Sequence, residues 1–231
     1  MIADNLARVH ERIASACARA GRPVQSVTLL VVSKTQPDSS IRAAHLAGER
    51  RFGENYVQEG LRKIDALADL RDRIEWHLIG PLQANKTRPV AAQFDWVHTV
   101  DRLRTAQRLS EQRPAHLPPL SVCLQVNVSG EASKSGLAPA EVVAVAKAVA
   151  VLPRLRLRGL MSIPAPASGF EAQRAPHRTL RLLFETLRGE GLALDTLSMG
   201  MSDDLEAAVA EGATLVRVGT AVFGARAAAA N

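Results

Sequence analysis

Eight short apolar runs alternate with amphipathic stretches along almost the whole chain, and that rhythm leaves few architectures open. Strand candidates begin near Val27, Arg51, Ile74, Asp95, Leu120, Leu157, Thr196 and Leu215. Between them, residues 55–67, 86–93, 103–112, 140–151, 172–188 and 203–211 carry helical spacing. The first run, Val27 to Val32, is nearly all valine and leucine, as a strand covered on both faces requires. Strands alternating with helices imply right-handed crossovers and a parallel sheet. Eight of them in 231 residues suit a closed (β/α)8 TIM barrel better than an open doubly wound sheet. No GxGxxG follows the first run, which weakens a dinucleotide-binding fold further. Ahead of the barrel, Ile2, Leu6, Val9, Ile13 and Cys17 recur at helical spacing before Gly21 and Pro23, so an extra N-terminal helix is expected.

No sharp linker divides the chain. Residues 114–119 and 164–169 read as loops within a single domain spanning 1–231. The formal net charge is +6, which raises nucleic acid as a partner. The charge is carried mostly by scattered arginines, with lysine only at Lys34, Lys63, Lys86, Lys134 and Lys147. Aromatic residues are 3 % of the chain, too few to form stacking platforms, so a solvated basic surface without nucleic-acid binding is the expectation. Cys17 and Cys123 cannot build a disulfide framework and lack zinc-ligand spacing. The acid at Asp4 argues against a secretion signal, and no run approaches a membrane span. A cytoplasmic protein with no metal site is therefore expected.

In a closed parallel barrel the strand C-termini converge on the face that holds ligands. Polar residues fall at those points: Lys34, Glu54 and Asn55, His77, His98, Asn127, Ser162 and Ser198, with Arg217 inside the last strand. A lysine over an apolar barrel mouth loses solvation, which lowers its pKa and frees the amine to form an imine with an aldehyde. A lysine that merely snorkels to water is the alternative. Loops after strands 7 and 8 of such barrels often hold phosphate. Ser198-Met199-Gly200 and Gly219-Thr220 stand there, with glycine for close approach and hydroxyls as donors. Ser202 reads as the cap of a helix opened by Asp203 and Asp204. Arg217 requires a partner, either a nearby acid or a ligand's ring nitrogen.

Several strings are specific. They include Val31-Val32-Ser33-Lys34-Thr35, Phe52-Gly53-Glu54-Asn55-Tyr56-Val57-Gln58-Glu59 and Trp76-His77-Leu78-Ile79-Gly80-Pro81. Arg158-Gly159-Leu160-Met161-Ser162-Ile163-Pro164, Ser198-Met199-Gly200-Met201-Ser202-Asp203-Asp204 and Arg217-Val218-Gly219-Thr220-Ala221 complete the set. On these residues the chain resembles, over essentially its whole length, the pyridoxal phosphate homeostasis protein family. These are single-domain relatives of the alanine racemase N-terminal barrel.

The resemblance implies pyridoxal 5′-phosphate (PLP) held as a Schiff base on Lys34. It implies Ser198, Gly200, Gly219 and Thr220 around the phosphate, Arg217 at the pyridine nitrogen, and Asn55 and Met161 near the ring. It also implies a carrier that delivers PLP to apoenzymes without catalytic turnover. Racemisation needs acid–base groups on both faces of the imine, and racemases draw one from an additional β domain. Only five residues follow Arg226, so that domain is expected to be absent and the protein to be a monomer. The competing reading is a single-domain PLP-dependent amino-acid racemase or lyase using His77 or Lys134 as acid or base. Lys134 is alternatively a loop site that receives or releases cofactor.

Overall fold

The computed structural model describes residues 1–131 and 135–224. Its eight strands are β1 (Thr28–Val32), β2 (Arg51–Glu54), β3 (Glu75–Leu78), β4 (Trp96–Val100), β5 (Leu120–Gln125), β6 (Leu155–Met161), β7 (Thr196–Ser198) and β8 (Leu215–Val218). They pair in sequence order and close, β8 lying parallel to β1, so the expected barrel is the observed one. The helices are α1 (Ile2–Arg19), α2 (Asp38–Leu46), α3 (Val57–Ala66), α4 (Thr87–Gln93), α5 (Leu103–Gln112), α6 (Val142–Ala150), α7 (Phe170–Gly189), α8 (Leu205–Ala210) and α9 (Thr220–Phe223). The extra N-terminal helix α1 buries Leu6, Val9, Ile13 and Cys17, the stripe its spacing foretold, and packs against α8 and α9.

Between barrel and helices lies one large apolar layer. The barrel interior departs from the usual filling of branched aliphatics. One side holds Leu30, Ile79 and Leu215, another Trp96, Cys123 and Met161. Between them run fully buried polar side chains, His77, His98 and Ser198, followed by Arg217 at 4 % exposure. Burial raises the Cys123 thiol to about 12, so it packs as a small inert hydrophobe. No described helix is long and apolar enough to cross a membrane.

Two local expectations are corrected. His77 and His98 do not follow their strands; they are the third residues of β3 and β4 and point into the barrel. Ser202 does not cap α8. The turn before that helix is tied by Asp204, whose Oδ1 accepts the Met201 N–H at 2.6 Å and whose Oδ2 lies 2.9 Å from His177 Nε2. The competition comes from a carboxylate two residues on, a stronger acceptor than a hydroxyl.

Candidate functional site

Lys34 stands two residues beyond β1, half-buried at the C-terminal mouth of the barrel. Both of its neighbours are pinned. The Ser33 N–H donates to Gly53 O at 3.0 Å, and Ser33 Oγ donates to Glu54 Oε1 at 2.6 Å. Thr35 adopts a φ of +63°, a left-handed conformation costly for a β-branched residue. Glu59 holds it there by accepting the Thr35 N–H at 2.5 Å.

The knot beneath this loop is Lys63, which sequence reasoning treated only as one of five lysines. It has 0 % exposure, and its Nζ donates to Ser33 O (2.7 Å), Glu54 Oε1 (2.9 Å) and Glu59 Oε1 (2.7 Å). Burial raises the Glu54 carboxyl pKa, against the opposing pull of Lys63 and Ser33. The i,i+4 spacing of Glu59 and Lys63 was a readable sign that the lysine was engaged. These three side chains fix the backbone that aims Lys34.

β8 is the neighbour of β1, with Leu30 opposite Arg217 and Val31 opposite Val218. Gly219 therefore lies against Val32; a Cβ there would stand 2.9 Å from Val32 O. Thr220, exposed, opens α9; the Val222 and Phe223 N–H groups donate to Gly219 O at 2.9 and 3.0 Å, which leaves those of Thr220 and Ala221 without a partner inside the helix. Lys34 and the Gly219-Thr220 turn thus share one seam of the mouth. Gly200, at φ +93°, accepts the Arg217 N–H on its carbonyl at 2.9 Å, which fixes the loop after β7 to β8. Asn55 is half-buried just after β2, its carbonyl packed against Gly80.

Arg217 has no carboxylate within ion-pair distance among the described residues. Its Nη1 donates to Ser198 Oγ and its Nη2 to Ser162 O, each at 2.9 Å. Burial lowers its pKa to about 10, which leaves it cationic at neutral pH. The acid partner weighed from the sequence is not there.

Ser198 departs from its expected place. Its hydroxyl is fully buried inside the barrel, where it also meets His98 Nδ1 at 2.8 Å. His98 Nε2 lies 2.9 Å from His77 Nδ1, and His77 Nε2 lies 3.0 Å from Glu75 Oε1. Burial pushes both imidazole pKa values down, His98 well below the ordinary value, so both rings are neutral. Arg217 donates to Ser198 Oγ, and hydrogen bonds link that hydroxyl to His98 and His98 to His77. The Ser198 hydroxyl is therefore engaged by Arg217 and His98 inside the barrel rather than standing open at the mouth, where the sequence placed it. Met161 is likewise fully buried, packed with Trp96 and Cys123 inside the barrel. Lys134 lies outside the described residues.

Residues 5–227 match the alanine racemase N-terminal domain family. A pyridoxal phosphate homeostasis protein of Pseudomonas aeruginosa is 63 % identical over 225 residues, covering 97 % of this chain and 96 % of that one. Its counterpart from Escherichia coli K12 is 57 % identical, covering 97 % of each. The chain belongs to the pyridoxal phosphate homeostasis protein family. Among solved structures, PipY of Synechococcus elongatus PCC7942, described with PLP bound, superposes with a TM-score of 0.84 at 39 % identity. It covers 97 % of this chain and all of PipY. Membership agrees with the resemblance read from the sequence strings, which span both faces of the mouth.

Proposed function

We propose that this protein binds PLP through Lys34 and serves intracellular PLP homeostasis, holding the cofactor and delivering it to apoenzymes without turnover. The observation that carries the reading is Arg217, a buried cation held by two neutral oxygens on the strand adjoining the Lys34 strand. A guanidinium so placed is incomplete without an electron-rich group in front of it. Naming of the close relatives and the PLP in PipY support the same cofactor.

The residues present fit that group. Lys34 supplies an amine on a backbone anchored at Ser33 and Thr35, and the Thr220 and Ala221 N–H groups supply donors for a phosphate. Bound there, PLP supplies an aldehyde electrophile and a ring able to accept electron density. Arg217, cationic and unable to give up its proton, disfavours protonation of a ring nitrogen facing it and so weakens that electron sink. His77, the acid–base candidate of the racemase reading, is turned away: one nitrogen meets His98 and the other Glu75, at the opposite end of the barrel from Lys34. Gly200, Gly219, Thr220 and Asn55 remain assigned to the cofactor surroundings, and Ser198 becomes a positioning residue for Arg217. A cytoplasmic, monomeric single domain, without a role for nucleic acid, completes the proposal.

Purified protein should be yellow, and borohydride should fix the cofactor to the peptide bearing Lys34. An unchanged spectrum in Lys34→Ala removes that residue from the role. Transfer to an apoenzyme, compared with free cofactor at equal concentration, tests delivery. Steady-state turnover of an amino acid, lost in Lys34→Ala, overturns the carrier reading in favour of catalysis.

A further inference from the structure

One cavity of the molecule lies away from the Lys34 mouth. A bowl of about 920 Å3 opens at the other end, floored by the first residues of β1, β2, β3, β4, β7 and β8. In barrels of this kind the N-terminal face is ordinarily a stability face. Here it is lined by six guanidiniums against four carboxylates, a surplus of two positive charges.

The carboxylates are mostly spent. Asp95 takes both Nη atoms of Arg71, at 3.0 and 2.7 Å. Asp195 takes Arg158 at 2.8 Å, while that guanidinium also covers the Trp96 ring at 4.5 Å. Glu75 faces His77, with Arg51 no closer than 3.9 Å. Burial would raise the Glu75 carboxyl, but His77, Arg51 and Trp96 hold it below the ordinary value, so it stays an anion.

The arginines are not spent to the same degree. Arg113, 4 % exposed, donates only to the carbonyls of Ala91, Phe94 and Pro118. Arg50 likewise has no acid among the described residues, bonding to the carbonyls of His45 and Glu49 and meeting His45 Nδ1 at 3.1 Å. The Arg73 guanidinium, exposed at the rim, makes no hydrogen bond or ion pair among the described residues, and neither does the carboxylate of the rim acid Asp72. Guanidiniums without carboxylates, gathered around a concavity, form the usual receptor for a doubly charged oxyanion.

We infer that this bowl is a second ligand site, and that its ligand is a phosphorylated small molecule. A phosphate monoester carries close to two negative charges at neutral pH, which matches the surplus. The volume lies within the range of about 300–1,000 Å3 of small-molecule clefts, enough for an organic body beyond the phosphate. Arg51 and Arg73 supply the direct contacts; Arg50 and Arg113 add a fixed positive field from the wall. None of these residues belongs to the Lys34 end, so the inference stands apart from the cofactor reading.

The test is calorimetric titration of the full-length protein with inorganic pyrophosphate at physiological salt. Arg73→Glu, Arg51→Gln and, as a control at the opposite mouth, Thr220→Val are titrated in parallel. One saturable site weakened about tenfold or more by Arg73→Glu and by Arg51→Gln, and kept by Thr220→Val, is the expected result. Absence of saturable binding overturns the inference. So does binding undiminished in Arg73→Glu, or a site lost in Thr220→Val instead, which would place the anion at the cofactor end. Arg73 is exposed and partnerless, so its substitution leaves folding intact and the comparison readable.

Discussion

Arg217 Nη1 donates to Ser198 Oγ across 2.9 Å, and the same hydroxyl is hydrogen-bonded to His98 Nδ1 at 2.8 Å. The hydroxyl thus joins a buried cation to a neutral imidazole inside the barrel. Ser198→Ala leaves one guanidinium proton and one imidazole nitrogen unsatisfied inside the barrel. The expected cost is about 1–3 kcal/mol of stability, read by chemical denaturation. Affinity for phosphate itself, measured on the folded variant, should be nearly unchanged. A variant of native stability that has lost phosphate binding would return Ser198 to the donor role.

The two barrel histidines make stability depend on pH. Burial, reinforced for His98 by His77 and Arg217, lowers both pKa values and keeps the native rings neutral. The unfolded chain takes up those protons near the ordinary histidine value of about 6.5. Below it the unfolded state binds more protons than the native one, so stability falls as pH drops from there toward the lower native values. Denaturation midpoints between about pH 7.5 and 5.5 should decline more steeply in the wild type than in His98→Gln. Parallel slopes would show that His98 is not the group responsible.

The order of elements was legible because each strand announces itself as an apolar run bounded by turn residues. Seven of the eight expected starts fall within one residue of the observed ones, and four of these, Arg51, Leu120, Thr196 and Leu215, coincide with them. β6 begins two residues early, at Leu155, because Arg156 breaks the apolar run while pairing opposite Ser121. Side-chain direction was the harder matter. β7 has only three residues, too few to show which parity faces inward, so Ser198 looked like a mouth residue. Lys63 sits on an amphipathic helix, where lysine ordinarily marks the solvent face. Only the fold reveals that Ser33, Glu54 and Glu59 converge on it. The partners of Arg217 were hidden for a related reason: one is a hydroxyl and the other a main-chain carbonyl, on β7 and just after β6.

Lys63 gives the next expectation. Lys63→Met removes the cation between two carboxylates and leaves Glu54 buried without it. Breaking a buried pair by deleting one partner costs about 3–5 kcal/mol. The double variant Lys63→Met with Glu54→Gln should recover part of that loss, because the uncompensated charge is gone. Glu59→Gln is milder: it weakens the bond that holds Thr35 at positive φ and loosens the segment carrying Lys34. Hydrogen exchange at the Thr35 amide should accelerate in Glu59→Gln while the barrel strands keep their protection.

Gly200 combines two requirements that a single methyl group separates. Its φ of +93° is strained for any L side chain, and a Cβ would stand 2.6 Å from Ala208 Cβ. Gly200→Ala therefore incurs both a backbone cost of order 1–3 kcal/mol and a collision with α8. Ala208→Gly removes the collision alone. The pair should recover only the steric part, less the roughly 1 kcal/mol that glycine costs inside a helix. Because Gly200 O receives the Arg217 N–H at 2.9 Å, the single variant should also shift β8 at Arg217. Cofactor retention should then fall in Gly200→Ala and return in the double variant. Full recovery of stability would mean that the positive φ carries no cost; unaltered retention in the single variant would mean that the loop after β7 does not position Arg217.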